Sequence, residues 1–577
     1  MMNLFLLGSR RYYVLSMIFI LLSSLLDLVN PRLIGYTVDT ALGRGTGRVA
    51  LLVLFVALFA ALFRYLFQLT NAVGTERFVK RLRDLLFSHL IRLPYAWHRS
   101  SHTGDIIQRC TSDVETVKVF LSEQLTSLFR IIVMMSLSIF FMSKIHAGLT
   151  LIAIGFIPLI VLFSMYFHGK IGKAFMKAEE EEARFSAVVQ ENLTGVRVVR
   201  AFGREIDENE RFEKKNYLYT RMWIRVLRLG AAFWTSNDFL AAGRTMVVSI
   251  LGAVLCVRGE LSAGSFLAFV AYNAMLDWPV RMLGRIISEM SKAGVSVGRI
   301  CAIMNAEEED KPETPLCPPM DREICFDHVS FSYEDAAEEV LHDICLRVPE
   351  GSTVGILGGT GSGKSTLMML LDKLYGLSGR EGMSVKGRIT IGGVDLKDID
   401  TGYLRRNIGM VLQEPYLFSR TLSENIGITQ ETLDMGEVKR AARIASLEES
   451  VDRFYQGYDT FVGERGVTLS GGQKQRTAIA QMLIRRPPVM IFDDSLSAVD
   501  AATDAAIRKA LSENIGGSTV FLIAHRVQTL MHADQIIVMD RGRILEKGTH
   551  RELMERDGIY RVTYEMQNGL EPKEAGA

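Results

Sequence analysis

The sequence predicts a multidomain membrane protein, in which an all-α transmembrane domain of six helices precedes an α/β domain. Two observations carry this prediction. Apolar stretches long enough to cross about 30 Å of hydrocarbon recur six times before residue 285, and short β-rich runs alternate with helical patterns from residue 324 onward. A hydrophobic share of 48% beside 23% charged residues indicates that apolar and polar material is segregated along the 577 residues.

The apolar stretches are each long enough for one membrane helix. Two pairs of stretches are separated by only a few residues and predict tight hairpins on one membrane face. The charged, periodic segments 73–124 and 168–236 predict helical stalks on the other face, and their Lys and Arg residues favour the cytosol for that face and for both termini. The six stretches cover residues 13–33, 50–71, 126–143, 147–167, 238–257 and 264–284.

A polar segment rich in Glu and Pro separates the two predicted domains. The expected organisation is a transmembrane domain with stalks at 1–304, a linker at 305–321, an α/β domain at 322–569 and a polar tail at 570–577. The net charge of +1 gives no bias toward nucleic acid, and no nucleic-acid partner is expected. The six cysteines have no metal-type spacing and are expected to be reduced thiols.

The strongest chemical signal is a complete GxxxxGK[ST] motif at Gly358 to Ser365, placed between a predicted strand at 352–357 and a helix predicted over 364–374. Its glycines let backbone N–H groups converge on phosphate, while Lys364 neutralises β/γ charge and the Ser365 hydroxyl reaches Mg²⁺. The motif predicts ATP and Mg²⁺ as cofactors. The expected nucleotide contacts are Gly358, Gly359, Thr360, Gly361, Ser362, Gly363, Lys364, Ser365 and Thr366.

A second motif completes the metal site. The apolar run Val489 to Asp493 predicts a buried strand that ends in a carboxylate, the arrangement that holds the Mg²⁺ shell in P-loop NTPases. Asp493 is therefore expected to share the metal with Ser365.

Between these motifs lies Leu469-Ser-Gly-Gly-Gln473, and with it the chain resembles the ATP-binding-cassette (ABC) family. In that family the signature opens a helix that contacts the γ-phosphate of ATP held by the Walker A motif of the other subunit. The resemblance implies that two sites form only in a dimer, so a second ABC half-transporter is the expected partner. The expected signature ligands are Ser470, Gly471, Gly472 and Gln473.

Further landmarks of the family follow in order over residues 322–565. The resemblance implies that Tyr333 stacks on adenine, Gln413 is the Q-loop residue near the metal and Asp500 ends the D-loop. His525 is implied as the switch residue. A lone Tyr, Gln or His is more often a packed or solvated residue, but the shared order of all the landmarks favours the functional interpretation.

The membrane half is similar to the exporter type of this family. The segments Thr103 to Arg109 and Glu191 to Arg197 resemble the two intracellular loops whose short helices press on the cassettes. Ionisable residues in or near the apolar spans could line a substrate path or could pair structurally, with Asp277 and Arg281 at i, i+4 as the expected pair. These residues are Asp27, Arg64, Asp238, Arg244, Asp277 and Arg281.

One departure from the family pattern affects catalysis. The residue after the Walker B Asp is usually Glu, but here it is Asp494, one methylene shorter. The expected catalytic residues are Asp494, His525 and Gln413. With an intact signature beside it, Asp494 makes the chain resemble the degenerate-site subunit of heterodimeric bacterial ABC multidrug exporters.

The sequence therefore predicts ATP-driven export across the plasma membrane by a multi-pass half-transporter embedded in the lipid bilayer. A heterodimeric partner is favoured, and this chain's own Walker site is expected to hydrolyse ATP slowly. The alternatives are a homodimer that uses Asp494 as its catalytic carboxylate, and an ATP-gated channel or sensor. The substrate class stays open among small molecules, lipids and peptides.

Overall fold

The structure is a computed structural model that describes residues 9–40, 46–333, 338–377, 384–495, 501–514 and 516–569. The chain divides into two compact units. The first comprises the chain up to Ile91 together with His102–Ala306, and the second comprises Arg92–Ser101 together with the chain from Glu307 onward. A ten-residue segment from within the first half of the sequence therefore belongs to the second unit.

The secondary structure described in the first unit is all helical. Two short π-helical turns, Arg109–Asp113 and Phe120–Gln124, interrupt the chain before the third long membrane helix. In chain order, and including the short α3 of the second unit, the helices are α1 (Arg10–Thr40), α2 (Thr46–Leu90), α3 (Tyr95–Ser100), α4 (Thr103–Gln108), α5 (Val114–Val119), α6 (Leu125–Ile145), α7 (Ala147–Thr194), α8 (Val196–Ala201), α9 (Glu205–Val257), α10 (Ala263–Met275) and α11 (Asp277–Met304).

The prediction of a helical transmembrane domain is confirmed, with a difference at the sixth span. Within the described residues, five helical stretches are long and apolar enough to cross a membrane, and they cover the first five predicted spans. The sixth predicted span, 264–284, is divided at Leu276 between α10 and α11. Pro279 explains the division, because it has no N–H to donate to the carbonyl of Met275 one turn earlier.

Three helices are far longer than a bilayer requires. The lengths of α2, α7 and α9 are 45, 48 and 53 residues, and at 1.5 Å per residue the longest spans about 80 Å. Because about 20 apolar residues suffice to cross the hydrocarbon, each of these helices extends well beyond it.

The six ionisable residues predicted in or near the apolar spans form three ion pairs, each between two helices. The expected pair of Asp277 with Arg281 is wrong: Asp277 accepts a hydrogen bond from Arg244 of α9, and Arg281 donates to Asp238 of the same helix. Arg244 is fully buried, so the nearby carboxylate of another helix is needed to neutralise it. Closer to the N-terminus, Arg64 of α2 and Asp27 of α1 form an ion pair of 2.9 Å.

The second unit contains two main sheets, as an α/β domain requires. An antiparallel sheet has the order β2-β1-β4-β5, and a six-stranded sheet has the order β12-β11-β3-β10-β9-β6. The strands are β1 (Ile324–Ser332), β2 (Leu341–Val348), β3 (Thr353–Gly358), β4 (Ser384–Ile391), β5 (Val394–Asp395), β6 (Ile408–Val411), β7 (Arg420–Thr421), β8 (Phe461–Val462), β9 (Val489–Asp493), β10 (Thr519–Ile523), β11 (Gln535–Asp540) and β12 (Arg543–Gly548).

Helices flank the six-stranded sheet. The helices are α12 (Lys364–Leu371), α13 (Thr401–Asn407), α14 (Leu422–Ile426), α15 (Met435–Ile444), α16 (Glu448–Asp452), α17 (Gly471–Leu483), α18 (Ala501–Asn514), α19 (Val527–Leu530), α20 (His550–Met554) and α21 (Ile559–Gln567). The strand β9 has the predicted bounds and is buried along its whole length, as expected for a parallel strand covered on both faces. The helix α12 ends three residues before the predicted end, because Lys373 adopts a left-handed conformation with φ of 55°.

Candidate nucleotide-binding site

The site lies where four parallel strands end together. Ile523 at the end of β10 is in register with Asp493 of β9, and β10 also pairs in parallel with β3, which ends at Gly358. On the far side, Val411 at the end of β6 pairs with the residue before Asp493. The carboxyl ends of parallel strands share one sheet edge, and ligands of α/β proteins bind at such edges. The segments that carry the predicted Walker, Q-loop and switch residues therefore leave the sheet on one side.

The phosphate loop has the backbone shape that anion binding requires. Gly361 and Gly363 have positive φ values of 82° and 93°, in the region that glycine adopts without strain. A Cβ at Gly358 would lie 2.7 Å from the Ser362 hydroxyl, so this position has no room for a side chain. A Cβ at Gly359 would meet no atom within 4 Å, so the outer side of the loop is open. The loop, followed directly by the N-terminus of α12, fits a phosphate chain.

Lys364 and Ser365 connect this loop to β9. The Lys364 ammonium donates hydrogen bonds to the carbonyls of Gly358 and Gly359, at 3.0 and 2.7 Å. The Ser365 hydroxyl donates to Asp493 Oδ1 at 3.0 Å. A hydroxyl and a carboxylate at this spacing are hard oxygen donors of the kind that Mg²⁺ prefers, so the residues fit the expected metal.

Burial disfavours the charged forms of Lys364 and Asp493. It lowers the pKa of Lys364, although the carboxylates of Asp493 and Asp494 act in the opposite direction. Burial also raises the pKa of Asp493, and the negative charge of Asp494 adds to this rise. The hydrogen bond from Ser365 and the charges of Lys364 and His525 act in the opposite direction. A bound magnesium nucleotide would supply opposite charges to both groups, so ligand binding relieves this electrostatic cost.

Asp494 occupies a constrained position directly after β9. Its backbone has a φ of 46°, rare for a residue other than glycine, and its N–H donates to the carbonyl of Ile523 at 3.0 Å. The residue is 9% exposed. His525 follows β10, and its carbonyl accepts a hydrogen bond of 2.7 Å from Gln567. The backbone at both positions is thus fixed by hydrogen bonds.

The signature forms the start of α17. Ser470 is the N-cap residue, and a capping box joins it to Gln473: Ser470 N–H donates to Gln473 Oε1 at 2.9 Å, and Gln473 N–H donates to Ser470 Oγ at 3.4 Å. Ser470 and Gly471 are exposed, as a surface that meets another subunit would be. About one turn into the helix, Gln475 donates to the carbonyl of Gln413 at 3.2 Å, which links the Q-loop to the signature helix.

Tyr333 has neighbours that the sequence did not indicate. Its hydroxyl lies 2.9 Å from Thr366 Oγ1 at the start of α12, which places the ring beside the phosphate loop. The guanidinium of Arg99, from α3, lies 4.7 Å from the centre of the Tyr333 ring and also donates to the Tyr375 hydroxyl at 2.9 Å. Only three-dimensional packing brings these residues together, since Arg99 precedes Tyr333 by more than 230 positions.

The two segments that resemble the intracellular loops of exporters both contain short helices. Thr103–Gln108 and Val196–Ala201 are helices of the first unit, and their contact with cassettes stays a prediction. The ten-residue segment that does group with the second unit precedes Thr103 and contains α3. Asp500 lies outside the described residues.

The fold and this site define a P-loop ATPase joined to a helical membrane domain. The profile of the ABC transporter transmembrane region matches residues 13–280, and the ABC transporter profile matches residues 341–497. The chain is 33% identical over 571 residues to "Uncharacterized ABC transporter ATP-binding protein YknU" of Bacillus subtilis (strain 168), covering 97% of this chain and 95% of that protein.

A second relative and a solved structure resemble this chain over almost its whole length. The chain is 33% identical over 580 residues to "Probable multidrug resistance ABC transporter ATP-binding/permease protein YheI" of the same organism, covering 98% and 97% of the two chains. A solved "Structure of a bacterial Atm1-family ABC exporter with ATP bound" matches with a TM-score of 0.81 at 27% identity, covering 97% of this chain and 99% of that chain.

The chain therefore belongs to the ABC transporter family. It is a multi-pass membrane half-transporter with a cytoplasmic ATP-binding domain, and it acts in ATP-driven export as part of a dimer.

Proposed function

We propose that this chain is the slow-site half of a heterodimeric exporter. The observation that carries the proposal is the coexistence of Asp494 after Walker B with a fully formed capping box at Ser470. The signature can complete a partner's ATP site, whereas this chain's own Walker site lacks the usual Glu.

The position of Asp494 supports reduced hydrolysis. Its backbone is held by the hydrogen bond to Ile523, so a shorter side chain cannot be compensated by moving the main chain toward the nucleotide. A carboxylate displaced by about 1 Å can lose about 10²-fold in rate, because attack by water demands accurate geometry. In the proposed site Mg²⁺ is held by Ser365, Asp493 and Gln413. ATP binding is retained, since its contacts come from the loop around Lys364.

The test is the ATPase rate of a co-expressed pair, with one chain mutated at a time. Ser470→Arg in this chain should stop nearly all turnover, because it blocks the partner's competent site. Asp494→Asn should reduce turnover far less, and Asp494→Glu should raise it when the partner's signature is competent. If Asp494→Asn alone abolishes turnover as fully as Ser470→Arg, the homodimer with Asp494 as catalytic carboxylate replaces this proposal. ATP-dependent flux into inverted vesicles distinguishes either exporter from an ATP-gated channel or sensor.

We further propose a small amphipathic molecule as the substrate. A cavity of about 450 Å³ lies in the membrane unit, beside the division between α10 and α11. Flexible Met side chains and one Trp suit varied apolar shapes, and the two Arg and two Glu of the lining balance in charge. The relative named for multidrug resistance agrees with such a substrate. The lining includes Met134, Met275, Met282, Trp278, Glu123, Arg130, Arg285 and Glu289.

Trp278 gives the cavity a direct optical probe. Adding an uncharged amphipathic dye to the purified transporter should quench tryptophan fluorescence in the wild type and in the control Trp234→Phe. Trp278→Phe should lose the saturable part of this quenching. Equal saturable quenching in both variants would place the substrate elsewhere.

A further inference from the structure

A cluster of three metal-ligand side chains lies on the antiparallel sheet of the second unit. His328 belongs to β1, and Asp343 and Cys345 belong to the neighbouring strand β2. One ligand atom from each side chain lies within 4.8 Å of the other two, and all three residues are exposed. The nucleotide site uses none of them.

The spacing of two of the ligand atoms already matches tetrahedral zinc. Zinc bonds of about 2.3 Å to sulfur and about 2.0 Å to nitrogen place those two atoms about 3.5 Å apart. The distance from Cys345 Sγ to His328 Nδ1 is 3.5 Å. His328 Nδ1 and Asp343 Oδ1 are 2.6 Å apart and share a hydrogen bond, so an ion replacing that proton would increase their distance by about 0.8 Å.

The backbone holds the ligands in unusual conformations. His328 and Asp343 have positive φ values of 54° and 51°, which few residues other than glycine adopt. The pairing of β1 with β2 shifts its register between Phe326 and Val329, so a bulge at His328 redirects this side chain. Local backbone strain of this kind occurs preferentially at functional positions.

We propose that His328, Asp343 and Cys345 form a surface zinc site whose fourth position is open to water. Open zinc sites have three protein ligands and a fourth position for water, and Zn²⁺ accepts the imidazole nitrogen, carboxylate oxygen and thiolate sulfur found here. The soft thiolate of Cys345 disfavours Mg²⁺, which takes oxygen donors, so the site is chemically distinct from the one that accompanies ATP. The bound ion joins β1 to β2. Tyr333 directly follows β1, so the site lies on a strand that leads to the residue proposed to stack on adenine.

The test is metal binding by the full chain in detergent, without nucleotide and after treatment with a chelator. Titration with Co²⁺ should give the charge-transfer absorption of a thiolate-bound ion, and added Zn²⁺ should displace it. Cys345→Ser should abolish this absorption. His328→Asn and Asp343→Asn should each weaken Zn²⁺ binding by about tenfold or more, since even outer-shell changes cost about that much. Asn tolerates a positive φ, so both substitutions preserve the backbone.

Cys317→Ser is the matched control, because Cys317 is an exposed cysteine of the same unit outside the cluster. It should leave the absorption unchanged. Persistence of the thiolate absorption in Cys345→Ser, or wild-type zinc affinity in both Asn variants, would overturn the proposal. So would a wild-type chain that shows no thiolate-bound Co²⁺.

Discussion

The guanidinium of Arg99 covers the ring of Tyr333, the residue predicted to stack on adenine, at 4.7 Å from the ring centre. Phe331 and Tyr375 meet the same ring at steep angles of 82° and 75°, so they contribute edge-type contacts. Arg99 is held in place by its hydrogen bond to the Tyr375 hydroxyl. An adenine that stacks on this face of Tyr333 must therefore displace a cation.

Removing that cation should strengthen nucleotide binding. An exposed cation–π contact is worth about 0.5–1 kcal/mol, so Arg99→Ala should lower the Kd for ATP by about two- to fivefold. The measurement is equilibrium binding of a fluorescent ATP analogue to the purified transporter. Arg92→Ala is the control, since Arg92 lies in the same segment and pairs with Glu308. Weaker binding by Arg99→Ala would mean that the guanidinium supports the adenine.

Tyr333 itself should contribute through its aromatic face. Tyr333→Ala should weaken ATP binding by roughly 1 kcal/mol or somewhat more, because stacking is lost, whereas Tyr333→Trp should be tolerated. Tyr333→Phe removes only the hydroxyl contact with Thr366 and should have a small effect. The same binding assay tests all three variants. Equal losses for Ala and Trp would indicate that the residue only packs against its neighbours.

Lys364 should provide the main positive charge for the phosphates. Its ammonium is bound by two carbonyls of the loop, within reach of an incoming anion. Hydrogen bonds to charged groups are worth about 1.5–3 kcal/mol, so Lys364→Ala should weaken ATP binding by about 10- to 150-fold. Lys386→Ala removes an exposed lysine of β4 and should leave the affinity unchanged. Unaltered affinity in Lys364→Ala would contradict the assignment of the loop.

The features that could be predicted from sequence are those encoded by local patterns. The run ending at Asp493 is uniformly apolar, and the phosphate loop has its glycines and Lys364 at fixed spacing, so strand, turn and helix follow from neighbouring residues. The pairing of Arg244 with Asp277 could not be derived, because it depends on how α9 packs against α11. The position of Arg99 over Tyr333 likewise depends on tertiary packing between distant segments.

A buried carboxyl group makes a prediction about stability. Asp372 follows the last residue of α12, and burial raises its pKa to about 7, with Glu309 adding to the rise and Arg405 and Arg485 opposing it. The folded state therefore holds this proton more tightly than the unfolded state does. It follows that this group's contribution to stability is present at low pH and is lost as the pH rises from about 4 to about 7.

Asp372→Asn should remove this dependence, because the amide resembles the protonated carboxyl in size and carries no charge. The variant should approach the wild type in stability as the pH falls to about 4 and be more stable at pH 8, by an amount on the order of a few kcal/mol. The measurement is thermal unfolding of the full chain in detergent across this pH range. Asp321→Asn, at an exposed position, is the control and should follow the wild type. Parallel profiles for Asp372→Asn and the wild type would show that Asp372 is already ionised in the folded protein at pH 5.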